Sequence, residues 1–156
     1  MSKIAQSLTQ GHADKACDQI ADAIVDELLR QDPNAIADIR VSLSKDFLFV
    51  SGVASAQIPS GIESIALRAF GQSGRSGTVQ VFENVEIVSG DGPREATCVV
   101  NGYATSETQS FLPPALEYAH AVARRIDEAR KVNPVMSWIG AHGAVQAHCC
   151  LARPEL

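Results

Sequence analysis

Gln10-Gly11-His12-Ala13-Asp14-Lys15-Ala16-Cys17-Asp18-Gln19-Ile20-Ala21-Asp22-Ala23-Ile24, continuing to Gln31, is the stretch from which the rest of this 156-residue chain is read. Its apolar positions Cys17, Ile20, Ala21, Ile24 and Leu28 recur at three and four residues, which predicts a helix over 13–31 with Cys17 in the core. Asp14, Asp18, Asp22 and Asp26 repeat every four residues and drift around the opposite side. Only Asp14 falls in the first turn, where the helix dipole favours a carboxylate; the other three read as a solvated face. The helix start also gathers an imidazole, a carboxylate and an ammonium within four positions, His12, Asp14 and Lys15. A helix start offers unpaired N–H groups to an anion, Asp14 suits a hard cation, and His12 and Lys15 can donate to phosphate oxygens. A polar cap on a core helix accounts for the same residues, and on residue types alone it is the simpler reading.

Outward from this helix, Asp32-Pro33-Asn34 stops it, and Ile39, Val41 and Leu43 alternate with Asp38, Arg40 and Ser42 as a half-buried strand requires. Lys45-Asp46 turns the chain into Phe47–Val53, whose apolar residues fall on both faces, as in an interior strand. Ser60 and Glu63 have capping-box spacing ahead of a second helix carrying Ile62, Ile65, Ala66, Ala69 and Phe70, ended by Gly71, Gly74 and Gly77. Val79, Val81, Val85 and Ile87 predict a third strand, and Cys98 to Val100 a fourth after the loop Ser89-Gly90-Asp91-Gly92-Pro93. Pro113-Pro114 opens a third helix to about Lys131, with Leu116, Ala119, Ala123 and Ile126 inward and a basic C-terminal end. His120 on that helix reads as a partly buried, hydrogen-bonded histidine rather than a catalytic one. Trp138 to Leu151 predicts a closing hairpin around Ala141-His142-Gly143.

This order argues for an α+β fold, an antiparallel or mixed sheet carrying helices on one face. Apolar residues on both sides of the Phe47–Val53 strand call for a second cover, which in so short a chain points to another subunit. Hydrophobic residues make up 46% and charged residues 20%, the usage of a packed globular chain. A formal charge of -5 argues against general binding to nucleic acid or a membrane surface, so any anionic ligand must be held locally. Residues 1–10 lack the apolar segment of a signal peptide and no segment has the length of a bilayer span, so a cytoplasmic setting with reduced thiols is expected. His142, His148, Cys149 and Cys150 invite a metal site, but without a second paired motif an alternating strand explains them as well.

Two segments resemble a known family. Gln10-Gly11-His12-Ala13-Asp14-Lys15 followed by Cys17-Asp18-Gln19-Ile20-Ala21-Asp22-Ala23 is similar to the E-G-H-P-D-K-x-C-D-Q-I-S-D-A segment of S-adenosylmethionine synthetases, the methionine adenosyltransferases. Gly102-Tyr103-Ala104-Thr105-Ser106-Glu107-Thr108 is similar to that family's G-Y-A-T-N-E-T, and Ala119-His120 and Arg130-Lys131 follow where the family has similar pairs. The resemblance implies a synthetase N-terminal-like domain over 1–104 and part of a second synthetase-like repeat, a helix plus hairpin, over 105–156. It also implies the family's chemistry: methionine sulfur attacks the ribose 5′ carbon of ATP, and the triphosphate that leaves is hydrolysed, at a site between two subunits. By motif, His12 matches the histidine that assists triphosphate departure, Lys15 the neighbouring lysine, and Asp14 the carboxylate that binds magnesium.

The departures from the family pattern bear on the same site. Gln10 stands for the family's glutamate and Ala13 for its proline. Aligned on Asp32-Pro33, Arg40 falls where a glutamate helps bind potassium, so its own charge would replace the ion, and Val53 falls where a glutamate contacts the methionine amino group. The family's G-A-G-D-Q-G is absent in register; Ala96 falls at its aspartate, and Asp91 lies several residues upstream. Arg40 and Asp91 are the candidate cofactor-binding residues that remain. In Ser137-Trp138-Ile139-Gly140-Ala141-His142-Gly143-Ala144, similar to P-W-L-R-P-D-G-K, His142 stands for the aspartate and Ala144 for the lysine. Family members are more than twice this length, and their later cationic residues and glycine-rich phosphate loop have no counterpart before Leu156.

Three functional expectations result. The chain is the small subunit of a heteromeric methionine adenosyltransferase-like enzyme, giving His12, Lys15 and Asp14 to a composite ATP–Mg2+ site that a companion synthetase-like polypeptide completes. Alternatively, such a heteromer uses ATP with another small-molecule acceptor or to activate a carboxylate, which Val53 motivates. In the third, the chain is a non-catalytic regulatory or scaffolding subunit.

Overall fold

The computed structural model describes residues 2–88, 99–136 and 138–150, with the side chains of Ser2 and Cys150 excepted. The chain divides into two compact units, Ala13–Thr97 and Met1–His12 together with Cys98–Leu156. Helices and strands are mixed in both, as an α+β chain requires. Asp91, Ala96, Cys98, Ser137 and Leu151 lie outside the described residues.

In the first unit, α1 (Ala13–Gln31) and α2 (Ile62–Gln72) pack together on one face of a three-stranded sheet of β2 (Ala37–Ser44), β3 (Phe47–Ala54) and β4 (Gln80–Ile87). The order is β2-β3-β4, with β2 antiparallel to β3 across the Lys45-Asp46 turn and β4 parallel to β3 through α2. A parallel pair needs such a crossover, because a short turn cannot return the chain to the same end. Lys45 takes φ 53, the left-handed conformation of a tight hairpin. The core is built from Ile20, Ile24 and Leu28 of α1, Leu48, Val50 and Ala54 of β3, and Ile65, Ala66, Ala69 and Phe70 of α2. Strand alternation then sends Phe47 and Phe49 to the opposite face, where Phe82 of β4 pairs in register with Phe49. The three rings cluster with centroids 5.3 to 6.5 Å apart and remain nearly half exposed. The second apolar face expected of Phe47–Val53 is therefore real, and it is aromatic.

Two local expectations are corrected here. Cys17 is only half-buried; Ala16 takes the fully buried place one residue earlier, because the stripe that faces the sheet runs Ala16, Ile20, Ile24, Leu28. The Ser60/Glu63 capping box does not form: Gly61 at φ 76 leads into α2, with no side-chain cap. Instead the Ser64 hydroxyl donates to the carbonyls of Ser60 and Gly61. A glycine conformation at the helix entrance swings Ser60 out of capping reach.

In the second unit, β1 (Ser2–Leu8) pairs antiparallel with β5 (Ala144–Cys150), and α3 (Pro114–Val132) covers one face of this ribbon. Pro114 occupies the first turn of α3 and Arg130 and Lys131 its last, in keeping with helix-start geometry and dipole. Its buried residues are Ala115, Ala119 and Ala123, small side chains that let the helix lie close to the strands. The inward positions expected at Leu116 and Ile126 are only half-buried. A 3-10 turn, Pro134–Met136, follows α3.

The expected closing hairpin is absent: residues 138–143 carry no strand, and β5 finds its partner at the N-terminus. Residues 2–8 alternate too weakly to announce a strand, and the turn-like Ala141-His142-Gly143 is a local signal where the actual pairing spans the length of the chain. Val99 and Val100 also form no strand and stand exposed. Two β-branched residues favour extended backbone but make no ladder without a partner.

Candidate functional site

The segment from Thr9 to His12 is fixed by hydrogen bonds that converge from both sides. Thr9 N donates to Gly143 O at 3.0 Å, and its hydroxyl lies 2.7 Å from Ala141 O and 3.0 Å from Gly143 O, sharing one proton between the two carbonyls. Thr9 is buried, at 4% exposure, so these bonds form where water does not compete. His12 N donates back to Thr9 O at 3.0 Å, closing a turn immediately before α1. Gly11 sits against Ala141 so closely that a Cβ there would lie 2.3 Å from the Ala141 Cβ. With both backbones held, the rings of His12 and His142 stack, centroids 4.5 Å apart and planes 19° from parallel.

From the α3 side, Gln10 N donates to Asp127 Oδ2 at 2.8 Å, and Lys131 Nζ donates to Gln10 Oε1. Arg130 Nη2 lies 3.8 Å from Asp127 Oδ1, with both side chains largely buried. The basic end of α3 therefore anchors the loop that carries His12. The hydrogen bond expected of His120 is present, its Nδ1 lying 2.8 Å from the hydroxyl of Ser7, a buried residue on β1, but His120 itself is exposed rather than partly buried.

Asp14 and Lys15 lie in the other unit, in the exposed first turn of α1. Asp14 lines a cavity of about 230 Å³ together with Cys17, Asp18 and Ser42. Burial pushes the Cys17 thiol up from its ordinary range, helped by the carboxylates of Asp14 and Asp18 and opposed by a backbone hydrogen bond at Leu43. The shift favours the neutral thiol over the thiolate, the reactive form.

Arg40 projects from β2 on the face opposite the helices, and its guanidinium is 2.9 Å from Asp38 Oδ2 two residues away. Within this unit the structure does not bring Arg40 to Asp14, which sits on the helix covering the other face. Val53 pairs with Asp38 on that same outer face. His148 is exposed and Cys149 half-buried on opposite faces of β5, as neighbours in a strand must be. Among the described residues no group of three or more histidines, cysteines or carboxylates is arranged to hold a metal ion. No described helix is long and apolar enough to cross a membrane.

Thr9, Gly11, Gln10 with Asp127, and the His12–His142 stack carry no spacing signal in the sequence, since each pairs residues more than a hundred positions apart. Gly11 beside a histidine was the nearest thing to a clue, a small residue where backbone approaches closely.

Residues 2–88 match the family profile of the S-adenosylmethionine synthetase N-terminal domain, and residues 93–150 that of its central domain. The chain belongs to the S-adenosylmethionine synthetase family. It is 33% identical over 145 residues to the S-adenosylmethionine synthase of Mesoplasma florum, covering 81% of this chain and 38% of the relative. Identity to the synthase of Aquifex aeolicus is 28% over 148 residues, covering 84% of this chain and 39% of that one. For the synthase of Clostridium tetani it is 27% over 170 residues, covering 90% and 43%. The chain thus spans about two fifths of the length of these synthetases. His12, Asp14 and Lys15 all fall within the N-terminal match, although His12 belongs to one compact unit and Asp14 and Lys15 to the other.

Proposed function

We propose that this chain contributes one part of a composite ATP-handling site in a methionine adenosyltransferase-like enzyme, with a companion synthetase-like polypeptide supplying the rest. The observation that carries this is the clamp on the segment bearing His12: four backbone and side-chain bonds tie down Thr9 and the His12 backbone, and Asp14 and Lys15 follow within three residues in the sequence. A polar cap alone has no need of such a clamp.

In this reading the sulfur of methionine attacks the ribose 5′ carbon, the 5′ C–O bond breaks, and the triphosphate takes the electron pair. Charge develops on the departing oxygen, and preorganised donors aimed there lower the barrier. His12 donates to that oxygen and Lys15 offsets the spreading phosphate charge. Asp14 suits Mg2+, which takes one or two carboxylates plus substrate phosphate oxygens, and the ion supplies further charge neutralisation. In this reading Arg40 takes the place of the potassium ion; its ion pair with Asp38 is what the fold itself gives it. One imidazole and one lysine are too few for a triphosphate, so further cations come from the companion. The open aromatic face of Phe47, Phe49 and Phe82 offers a surface for it.

Val53 supports a second reading, in which the acceptor is not methionine, since an isopropyl group accepts no hydrogen bond from an amine. Reconstituted complex given ATP and methionine, with products identified by mass spectrometry, tests both. S-adenosylmethionine is expected; triphosphate release without it transfers the proposal to another acceptor. Full activity from the purified chain alone overturns the composite site, and full activity of the complex after His12→Ala with Asp14→Ala makes the chain a scaffold.

A further inference from the structure

Two imidazoles from opposite ends of the chain stand face to face within one unit. The rings of His12 and His142 stack with centroids 4.5 Å apart and planes 19° from parallel, His12 half-buried and His142 exposed. Any two rings can stack; what histidine adds is a ring nitrogen that donates or accepts at the rim. A shared metal ion would need both lone pairs to converge on it. Planes inclined by only 19° meet far beyond the roughly 2 Å of a metal–imidazole bond, so this pair is not arranged to chelate one. Two N–H groups that leave in nearly parallel planes suit separate oxygens of one extended anion.

We propose that His142 is a second phosphate-binding residue of this chain, donating a ring N–H to one oxygen of a polyphosphate while His12 donates to another. In the family's P-W-L-R-P-D-G-K the place of His142 is an aspartate and that of Ala144 a lysine. An ionised carboxylate has no proton to give and meets phosphate oxygens through a metal ion, whereas an imidazole donates to them directly. His142 thus restores a donor two residues from where the lysine was lost. Thr9 sets both donors in place before any ligand arrives. Its hydroxyl lies within hydrogen-bond reach of Ala141 O and Gly143 O, on either side of His142, and its carbonyl accepts the amide of His12. Donors fixed in advance are not reorganised when the anion binds. This role rests on the composite-site reading, which supplies the polyphosphate as the triphosphate chain of ATP.

Inorganic tripolyphosphate is the probe, and no methionine, companion or turnover is needed, so failure here is separate from failure of the composite site. The full chain is titrated at one fixed pH with tripolyphosphate and, separately, with orthophosphate, following the ring resonances of its four histidines. Saturable tripolyphosphate binding that moves His12 and His142 together is expected, with His120, bonded to Ser7, and His148 on β5 as unmoved references. Orthophosphate, whose oxygens lie too close together to meet both rings, should bind about tenfold or more weaker. His142→Phe keeps a ring against His12 and removes the N–H, and should cost about tenfold or more in tripolyphosphate affinity. His142→Gln keeps an N–H without the ring and should retain most of it. Both variants change an exposed side chain, which spares the fold. Wild-type affinity in His142→Phe makes His142 a stacking partner only and overturns the proposal. Absence of saturable tripolyphosphate binding, or ring shifts at His12 and His142 with zinc chloride alone, overturns it too. Formation of S-adenosylmethionine by the reconstituted complex alongside any of these results keeps the composite site and removes His142 from it.

Discussion

His12 stacks on His142 because Thr9 ties both of their segments to one point. The Thr9 hydroxyl bridges the carbonyls on either side of His142, and Thr9 O receives the amide of His12. Thr9→Val keeps the side-chain shape and deletes that hydroxyl in a buried place, at a cost of about 1–2 kcal/mol. The expected signature is local: faster hydrogen exchange at the Thr9 amide and altered ring resonances of both histidines, with the unit of Ala13–Thr97 unaffected. Unchanged ring resonances would show that the stack stands without Thr9.

Gly11 tests the same clamp by volume. A Cβ at Gly11 would lie 2.3 Å from the Ala141 Cβ and 2.8 Å from the Ala141 carbonyl, while one at Gly143 meets Thr9 only at 3.4 Å, near ordinary contact. Gly11→Ala should destabilise by about 1–3 kcal/mol, Gly143→Ala by less. Chemical denaturation of Gly11→Ala, Ala141→Gly and the double variant measures the coupling. Part of the loss should return in the double variant, because the methyl–methyl clash is gone while the backbone contact stays. A double variant no better than Gly11→Ala would place the strain in the backbone alone.

These contacts mark the boundary of what the sequence discloses. The α1 stripe at Ile20, Ile24 and Leu28 and the β2–β3 hairpin were legible because their signals are local: a 3.6-residue period, a two-residue period and a two-residue turn. β1 was not, since residues 2–8 acquire strand character only from β5, and that pairing joins opposite ends of the chain. The site divides the same way. His12, Asp14 and Lys15 stood out by residue type and motif, whereas their supports at Thr9, Asp127 and His142 depend on tertiary approach. Capping failed as a guide at Ser60 because a backbone conformation at Gly61, invisible in the residue pattern, decided where α2 begins.

Cys17 offers a prediction in pH. Its folded thiol is raised above the ordinary value, chiefly by burial, so at neutral pH it carries less thiolate than an unfolded cysteine does. The neutral thiol is favoured by the fold, so this contribution to stability is fully present below the unfolded thiol's pKa and is lost as pH rises through the folded one. Alkylation of Cys17 in native protein, read by peptide mass spectrometry, should be slower than in urea-unfolded protein at pH 8. The ratio should narrow as pH climbs past the folded value. Asp14→Asn with Asp18→Asn removes two carboxylates that oppose the thiolate, and should speed native alkylation. An unchanged rate in that variant would leave burial as the whole cause.

Gly52 is the position where the sheet tolerates no side chain. It sits in β3 at φ 143, and a Cβ there would fall 1.9 Å from the carbonyl oxygen of Asp38 on the neighbouring strand. Both the backbone conformation and the close approach are available to glycine alone. Gly52→Ala must therefore either push β2 away, breaking its register with β3, or force the backbone into a different well. Each route costs about 3 kcal/mol or more, a large share of a small domain's stability. The loss should appear as a lower denaturation midpoint in the helical circular dichroism of α1 and α2, since both helices rest on this sheet. Hydrogen exchange at the β2 amides should rise, while the amides of the β1–β5 ribbon stay protected because they belong to the other unit. A wild-type midpoint for Gly52→Ala would show that β2 can withdraw from β3 at little cost, and that the close approach at Asp38 is not what fixes the sheet.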